Sequence, residues 1–282
     1  MDAQHARVID YFDQCHGDYR LFWGTHRHGS MHAGYYDARH RTHDAAQDNA
    51  NRILADLAGV RPGDRVLDAG CGVGGSAAWL VKHRRATVVG VNLNATQLRL
   101  ARQLADRHGL DGQVRLIHGD YCSTPLPDAS FDVVWGLESV CYAPDKFAFL
   151  AEAFRLLRPG GRLVVADAFL TRPPRCHRER SLIEGWCRGW AVPNVPTVTD
   201  FAQALRSAGY RDVEAIDGGA LVGPASRRMW LLAVVAYPLS RVLEWLGVRS
   251  AVQTGNVAAG WYQYHVGRLG LGAYVIFRAV KP

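Results

Sequence analysis

The sequence predicts an α/β protein built on a mostly parallel sheet, and three observations support this prediction. The middle of the 282-residue chain alternates short apolar runs with helical patterns, as expected of parallel β-α-β units. A glycine-rich loop follows the first apolar run, residues 65–68. The chain is also long enough to bury a large core, and 48% of its residues are hydrophobic and 21% charged, which is ordinary for a globular protein.

The predicted elements follow one another in a regular order. Strands are expected at 65–68, 86–91, 114–119, 131–136, 162–168, 213–217 and 273–280. Helices are expected at 46–57, 76–83, in the segment that stops at Gly109, at 145–157 and at 201–208. In the helix at 145–157, the periodicity predicts that Phe147, Leu150, Ala151, Phe154 and Leu157 face inward.

Two aromatic-rich stretches interrupt this rhythm and are predicted to cover a crevice. We therefore expect an N-terminal helical cap at 1–45, a Rossmann-like core at 46–217, a helical cap insertion for substrate at 218–271 and the last strand of the core at 272–282. Such insertions lie where a lid over the sheet edge would be placed.

The loop after the first strand carries the strongest chemical signal. Glycines there let the backbone approach a ligand, and the following helix N-terminus attracts negative charge. Gly70, Gly72 and Gly75 also match a dinucleotide fingerprint. Two features argue against NAD: the charge of Asp68 close to a pyrophosphate, and Asn92 where an acid would hold the ribose.

Five motifs in register across about residues 61–168 resemble the class I S-adenosylmethionine-dependent methyltransferases. They are Asp68-Ala-Gly-Cys-Gly-Val-Gly74, Gly90-Val-Asn92, Gly119-Asp120, Phe131-Asp-Val-Val134 and Leu157-Arg-Pro-Gly-Gly161. The resemblance implies a seven-stranded sheet with an antiparallel last strand, and S-adenosylmethionine as the cofactor.

The resemblance also implies cofactor contacts. Asp68 with Gly70, Gly72 and Gly74 would hold the methionine part, Asn92 with help from Gln97 the ribose, and Asp120 with Tyr121 the adenine. Asn92 departs from the commonest residue there, which is acidic, although an amide also bonds hydroxyls.

The N-terminal segment is similar to that of sterol, tocopherol and cyclopropane-fatty-acid methyltransferases. Its aromatic helix contains Tyr11, and His32-Ala-Gly34-Tyr35 forms an H-x-G-Y stretch. The resemblance implies that both close over the cofactor, which makes Tyr11 a predicted cofactor contact.

Three residues are predicted to be catalytic. Glu138 follows the fourth strand at the edge where open α/β sheets bind ligands. It is interpreted as a general base or carbocation stabiliser, or else as a carboxylate bonded to nearby N–H groups. Tyr142 would face the acceptor or simply pack. His32 would accept a proton or be structural. No metal is predicted, because the spacing of His26, His28 and His32 matches no ligand pattern.

The acceptor is predicted to be a small, largely apolar molecule, C-methylated on an isoprenoid or sterol-like skeleton. The alternative is O- or N-methylation of an aromatic or polyketide-like product; less favoured are a nucleic-acid methyltransferase and a cofactor-binding cyclase. The net charge of +7 admits a nucleic-acid partner, but no base-flipping motif or binding module is found, so none is predicted. The arginines at 172–180 are a solvated loop or a clamp for an anionic acceptor such as a diphosphate.

The cysteine pattern and the N-terminus predict a cytoplasmic protein. None of the six cysteines forms a C-x-x-C pair and no secretory segment is seen. The apolar stretch 229–239 is too short to span a bilayer. The amphipathic segment 227–248 is predicted to pack, line a pocket or touch a membrane surface. The oligomeric state is left open.

Overall fold

The computed structural model describes residues 3–25 and 29–282, and seven strands within them form one sheet. The strands are β1 Arg65–Ala69, β2 Thr87–Asn92, β3 Val114–His118, β4 Phe131–Leu137, β5 Leu157–Leu170, β6 Arg211–Asp217 and β7 Gly272–Val280. Their order is β3-β2-β1-β4-β5-β7-β6, and β7 runs antiparallel to both neighbours. The predicted fold class, including the antiparallel last strand, is confirmed.

Helices cover both faces of the sheet. They are α1 Ala3–Asp18, α2 His43–Leu57, α3 Gly75–Arg84, α4 Ala95–Arg107, α5 Lys146–Leu156, α6 His177–Gly189, α7 Val198–Ser207, α8 Gly219–Trp245 and α9 Ala251–Arg268. A π-helical turn, Tyr19–Trp23, continues α1. Val66 joins a core with α2 and α3, and Leu67 a second core with α5 and α7. The central strands are therefore buried on both faces, as expected for parallel strands.

A helical layer lies over the carboxyl ends of the strands. Helix α9 packs against α6, α8 and α1. Arg249 binds both carboxylate oxygens of Asp18 at 3.1 and 2.6 Å, and this ion pair ties the end of α1 to the turn before α9. The layer thus includes α6, which lies inside the segment 46–217 expected to form the core. In the part of the chain that the structure describes, no helix has the length and apolarity that a membrane crossing requires.

Helix α5 corrects one sequence-based expectation. Phe147 is 49% exposed and Ala151 is also exposed, whereas the buried residues are Phe149, Leu150, Ala153 and Leu156. The inward orientation predicted for Phe147 and Ala151 is wrong. Because this helix is apolar on nearly every side, its periodicity could not fix which stripe meets the sheet.

Candidate active site

A large cavity lies at the carboxyl ends of β1, β2, β4 and β5, beneath the helical layer. Nine of the predicted site residues line it: His32, Asp68, Gly70, Gly72, Asn92, Gln97, Tyr121, Glu138 and Tyr142. Tyr11, Gly74 and Asp120 do not. Residues far apart in sequence therefore meet at the edge where open α/β sheets bind ligands.

The glycine loop lines the cavity in a conformation that other residues rarely adopt. Gly70 and Gly72 have φ angles of 85° and 53°. A Cβ at Gly70 would lie 2.5 Å from Cβ of Ser139, and one at Gly72 would lie 3.4 Å from Sδ of Met31. The loop thus presents backbone to the cavity, and a side chain at Gly70 would displace Ser139 from the cavity wall.

Asp68 supplies a buried negative charge at the start of this loop. Asp68 is only 3% exposed, and its Oδ2 has no hydrogen-bond partner among the described residues. Burial raises the pKa of the carboxyl to about 7. A buried carboxylate oxygen without a partner needs a donor or a cation. The ammonium and sulfonium of S-adenosylmethionine provide such charge, so this residue fits the cofactor.

Asn92 and Gln97 form a second polar group on the cavity wall. Nδ2 of Asn92 donates to Oε1 of Gln97 at 2.7 Å. Nδ2 of Asn94, beside them, donates to Asp13 of α1 at 2.9 Å. Amides combine donors and acceptors, so the pair suits ribose hydroxyls in place of an acid.

The three predicted cofactor residues outside the cavity lining have structural contacts. The hydroxyl of Tyr11 donates to Oδ1 of Asn256 at 2.8 Å and lies 3.0 Å from that of Tyr19, which does line the cavity. Gly74 caps the N-terminus of α3 with a φ of 87°. Asp120 accepts a hydrogen bond from the backbone of Cys122 at 2.8 Å. The neighbouring Tyr121 reaches the cavity, and its hydroxyl donates to the carbonyl of Ser139 at 2.8 Å.

Glu138 is held in the cavity wall by two hydrogen-bond donors. The backbone N–H of Ala33 donates to Oε1 and Oε2 at 3.0 and 3.1 Å, and the hydroxyl of Tyr274 donates to Oε1 at 2.8 Å. Its φ of 51° is unusual for a side-chain-bearing residue, and such strain is found at functional sites. Burial, followed by the charge of Asp167, raises the pKa of Glu138 to about 7.

Two residues of this site were missed by sequence reasoning. Asp167 lines the cavity near the end of β5, is 4% exposed and accepts from the backbone N–H of Cys141 at 2.8 Å; burial raises its pKa to about 6. A lone carboxylate ending the apolar run Val164-Val-Ala-Asp167 was the available signal. The sequence around Tyr274 carries no such signal, because only the antiparallel pairing of β7 with β5 brings this residue to Glu138.

His32 lies in the same wall as a neutral imidazole. Its Nδ1 is 3.0 Å from the carbonyl oxygen of Ala33. A carbonyl only accepts, so Nδ1 carries the hydrogen and Nε2 keeps its lone pair. Nε2 is buried with no partner among the described residues. Burial lowers the pKa of His32 to about 4, so the ring is uncharged at neutral pH.

The charged groups of the cavity are acidic. Asp18, Asp68, Glu138 and Asp167 line it, and among the described lining residues there is no lysine or arginine. The arginine-rich segment 172–180 is not part of the lining either, and Arg172 is bound to both carboxylate oxygens of Glu179 at 2.8 and 2.7 Å.

The histidine cluster is only partly placed. His26 and His28 lie outside the described residues. Within 3–25 and 29–282, no group of three or more His, Cys, Asp or Glu side chains is arranged to hold a metal ion.

The sheet order, the glycine loop on Asp68 and the adjoining polar pair together define a class I S-adenosylmethionine-binding methyltransferase architecture. Comparison with known proteins agrees. A family model described as a methyltransferase domain matches residues 67–165. The chain is 31% identical to 27-O-demethylrifamycin SV methyltransferase of Amycolatopsis mediterranei, over 92% of this chain and 91% of that one.

Two further proteins extend the comparison. The chain is 34% identical to sterol 24-C-methyltransferase of Aspergillus fumigatus over 74% of its own length, but spans only 55% of that relative. The crystal structure of the [4+2]-cyclase SpnF superposes with a TM-score of 0.78 at 23% identity, covering 98% of this chain and 95% of that one. The chain belongs to the S-adenosylmethionine-dependent methyltransferase family. The predicted enzyme class and cofactor are thereby confirmed.

Proposed function

We propose that this enzyme methylates a carbon of a small, uncharged, largely apolar acceptor, of isoprenoid or sterol-like skeleton. One observation carries the proposal: the Glu138 carboxylate lies in a cavity that nine aromatic side chains and several aliphatic ones line. The aromatic side chains lining the cavity are Phe12, Tyr19, Phe22, Trp23, Tyr121, Tyr142, Trp186, Trp190 and Tyr274. Such walls suit an apolar molecule, with few polar groups to orient it.

The bound cofactor supplies an electrophilic methyl group on a positively charged sulfur. Attack by a carbon–carbon double bond of the acceptor would form the new C–C bond as the methyl–sulfur bond breaks, with S-adenosylhomocysteine as the leaving group and a cation on the neighbouring carbon of the acceptor. Aromatic faces and buried carboxylates stabilise such a cation. Loss of a proton from the next carbon to Glu138 restores a double bond and balances the reaction. The protein contributes mainly alignment and the exclusion of water, and alignment contributes on the order of 7–11 kcal/mol.

The acidic lining supports an uncharged acceptor. Asp18 is paired with Arg249, and the other acidic lining residues are Asp68, Glu138 and Asp167, with no described lysine or arginine among them. A diphosphate would therefore meet carboxyl groups and no cation to bind it. Arg172, in the segment considered as an anion clamp, is already bound to Glu179.

O-methylation is the second candidate, and two observations favour it. Nε2 of His32 is a buried lone pair in the cavity wall, which suits a group that takes a proton from a hydroxyl. The rifamycin relative, whose name places its methyl on oxygen, is matched over 91% of its length.

A labelled-acceptor screen tests the proposal. The enzyme is incubated with S-adenosylmethionine carrying a trideuterated methyl group and with paired acceptors, neutral isoprenoid alkenes against polyketide alcohols. We expect the mass of one labelled methyl group to appear on an alkene. Transfer confined to alcohols, and lost in His32→Gln, would establish the second candidate instead. Cofactor binding with no transfer to any acceptor would favour a non-methylating role.

We also propose that the enzyme acts in the cytoplasm. All six cysteines are free thiols, and Cys15 and Cys71 are buried, which suits a reducing compartment.

A further inference from the structure

The outer face of α8 is an exposed apolar surface. Val235 is 78% exposed, Leu239 61% and Trp245 81%. At 3.6 residues per turn these three residues fall on one side of the helix. The other large exposed apolar residues of the same helix are Leu231, Val234, Tyr237 and Val242. We call these seven residues the outer face of α8. Large apolar side chains exposed together on one helix mark protein or membrane interaction sites.

The inner face of the same helix lines the active-site cavity. Met229, Leu232, Ala233 and Ala236 alternate with the outer-face residues and border the cavity. One helix therefore separates the acceptor site from the exposed apolar surface. An apolar molecule held at the outer face lies one helix diameter, about 10 Å, from the cavity.

Exposed arginines lie on α8 beside the outer face and on the neighbouring α9. Residues 218–271 contain five arginines and no lysine, against a single acid, Glu244. Arg227, Arg241 and Arg268 are exposed among them. Arg228 and Arg249 face inward, where they bind the carbonyl of Phe22 and the carboxylate of Asp18, so the exposed positive charge of this segment comes from the other three. Arginines around exposed tryptophan and aliphatic side chains are the composition of surfaces that bind anionic bilayers.

We propose that the outer face of α8 docks on an anionic phospholipid bilayer, from which the apolar acceptor enters the cavity. This inference rests on the proposed function only in that the molecule entering the cavity is taken to be the apolar acceptor. The aliphatic residues insert at the level of the acyl chains, and the rings of Tyr237 and Trp245 lie among the headgroups. Arg227 pairs with a lipid phosphate, and Arg241 exchanges its weak, largely exposed pair with Glu244 for another.

A second copy of the chain fits this surface less well. A two-fold interface places the same patch on both sides, so docking of two outer faces would bring arginine-rich surfaces together. Like charges across an interface are repulsive, whereas an anionic bilayer pairs each of them.

Vesicle sedimentation with the whole chain tests the proposal. The probes are vesicles of phosphatidylcholine with phosphatidylglycerol, and of phosphatidylcholine alone, without acceptor. We expect binding to the anionic vesicles and a loss of about tenfold or more in the double variant Val235→Glu/Trp245→Glu. Phe147→Glu, a matched change on α5, leaves binding unchanged. Arg227→Gln/Arg241→Gln lowers binding to anionic vesicles by about tenfold without altering the aliphatic face.

Two further measurements complete the test. The variants are compared with the wild type by thermal unfolding and by transfer to a water-soluble short acceptor without vesicles, and both stay unchanged because neither pair lines the cavity. Absent transfer with normal vesicle binding would refute the proposed function alone. The docking proposal is overturned if the wild type ignores anionic vesicles, if the double variant binds them equally, or if that variant converts a dimer into a monomer by light scattering.

Discussion

The hydroxyl of Tyr274, on the last strand, lies 2.8 Å from Oε1 of Glu138 and donates a hydrogen bond to it. The hydroxyl of Tyr35 donates in turn to that of Tyr274 at 3.2 Å. Together with the backbone N–H of Ala33, these donors stabilise the ionised form of the carboxyl. The H-x-G-Y stretch and β7 thus both contact Glu138, the residue that we propose takes the proton from the acceptor.

Tyr274→Phe should shift the pH dependence of the reaction. The hydrogen bond from Tyr274 lowers the pKa of Glu138, which burial sets at about 7, so its loss raises that pKa further. The carboxylate form then appears only at higher pH, and the midpoint of the rising limb of kcat against pH moves upward. The control is Tyr210→Phe, whose hydroxyl bonds Leu150 in the opposite core. An unchanged midpoint would show that ionisation of Glu138 does not set the pH dependence of kcat.

Asp68→Asn should weaken cofactor binding and remove its pH dependence. Burial raises the pKa of Asp68 to about 7, so the fraction of carboxylate, and with it the attraction for a cation, grows from pH 6 to pH 8. Hydrogen bonds to charged groups contribute about 1.5–3 kcal/mol, equivalent to a loss of about 10–100-fold in affinity. Calorimetry at several pH values measures both effects, and the exposed Asp111→Asn is the control. Equal cofactor affinities for Asp68→Asn and the wild type would show that the cofactor does not contact Asp68.

Gly70→Ala and Gly63→Ala form a matched pair. Their φ angles are 85° and 86°, so both variants carry the left-handed strain of about 1–2 kcal/mol. A Cβ at Gly70 also lies 2.5 Å from Cβ of Ser139, whereas nothing lies within 4 Å at Gly63. We expect the melting temperature to fall further for Gly70→Ala, and cofactor affinity to fall for that variant alone. Equal melting temperatures and cofactor affinities for the two variants would show that the loop accommodates a Cβ at Gly70 without added strain.

Arg249→Met should loosen the helical layer over the site. Arg249 and Asp18 are 17% and 10% exposed as side chains, and removing one partner of a buried pair costs about 3 kcal/mol. The free energy of unfolding in urea should show this loss. The control is Arg241→Met, which removes a pair with Glu244 whose arginine side chain is 59% exposed. Its free energy of unfolding should fall by less than about 1 kcal/mol. Comparable values for the two variants would contradict a tie between α1 and α9.

The sheet could be predicted from the sequence because its strands are short apolar runs separated by glycine turns. The prediction placed β5 at 162–168, whereas the strand covers Leu157–Leu170. Its carboxyl end is extended by pairing with β7 as far as Leu170 and Gly272, a long-range contact that local pattern does not contain. The face of α5 was misassigned for a similar reason, because only packing against α7 and β5 selects it.

The glycine-loop wall of the cavity was easier to predict than the wall around Glu138. Asp68, Gly70 and Gly72 are neighbours in one loop, so a local motif contains their geometry. Glu138 was found from its place after β4, but its partner Tyr274 is 136 residues away. The contacts of Tyr11 with Tyr19 and Asn256 depend on how α1 meets α9, which no local pattern predicts.

Single-turnover transfer by Glu138→Gln tests the central claim most directly. The variant is saturated with S-adenosylmethionine and mixed with the acceptor identified by the labelled screen. We expect unchanged cofactor affinity and a transfer rate lower by about 100-fold or more, the usual contribution of a positioned acid or base. A rate close to that of the wild type would contradict it, and Glu138 would then be a structural anchor for the H-x-G-Y stretch.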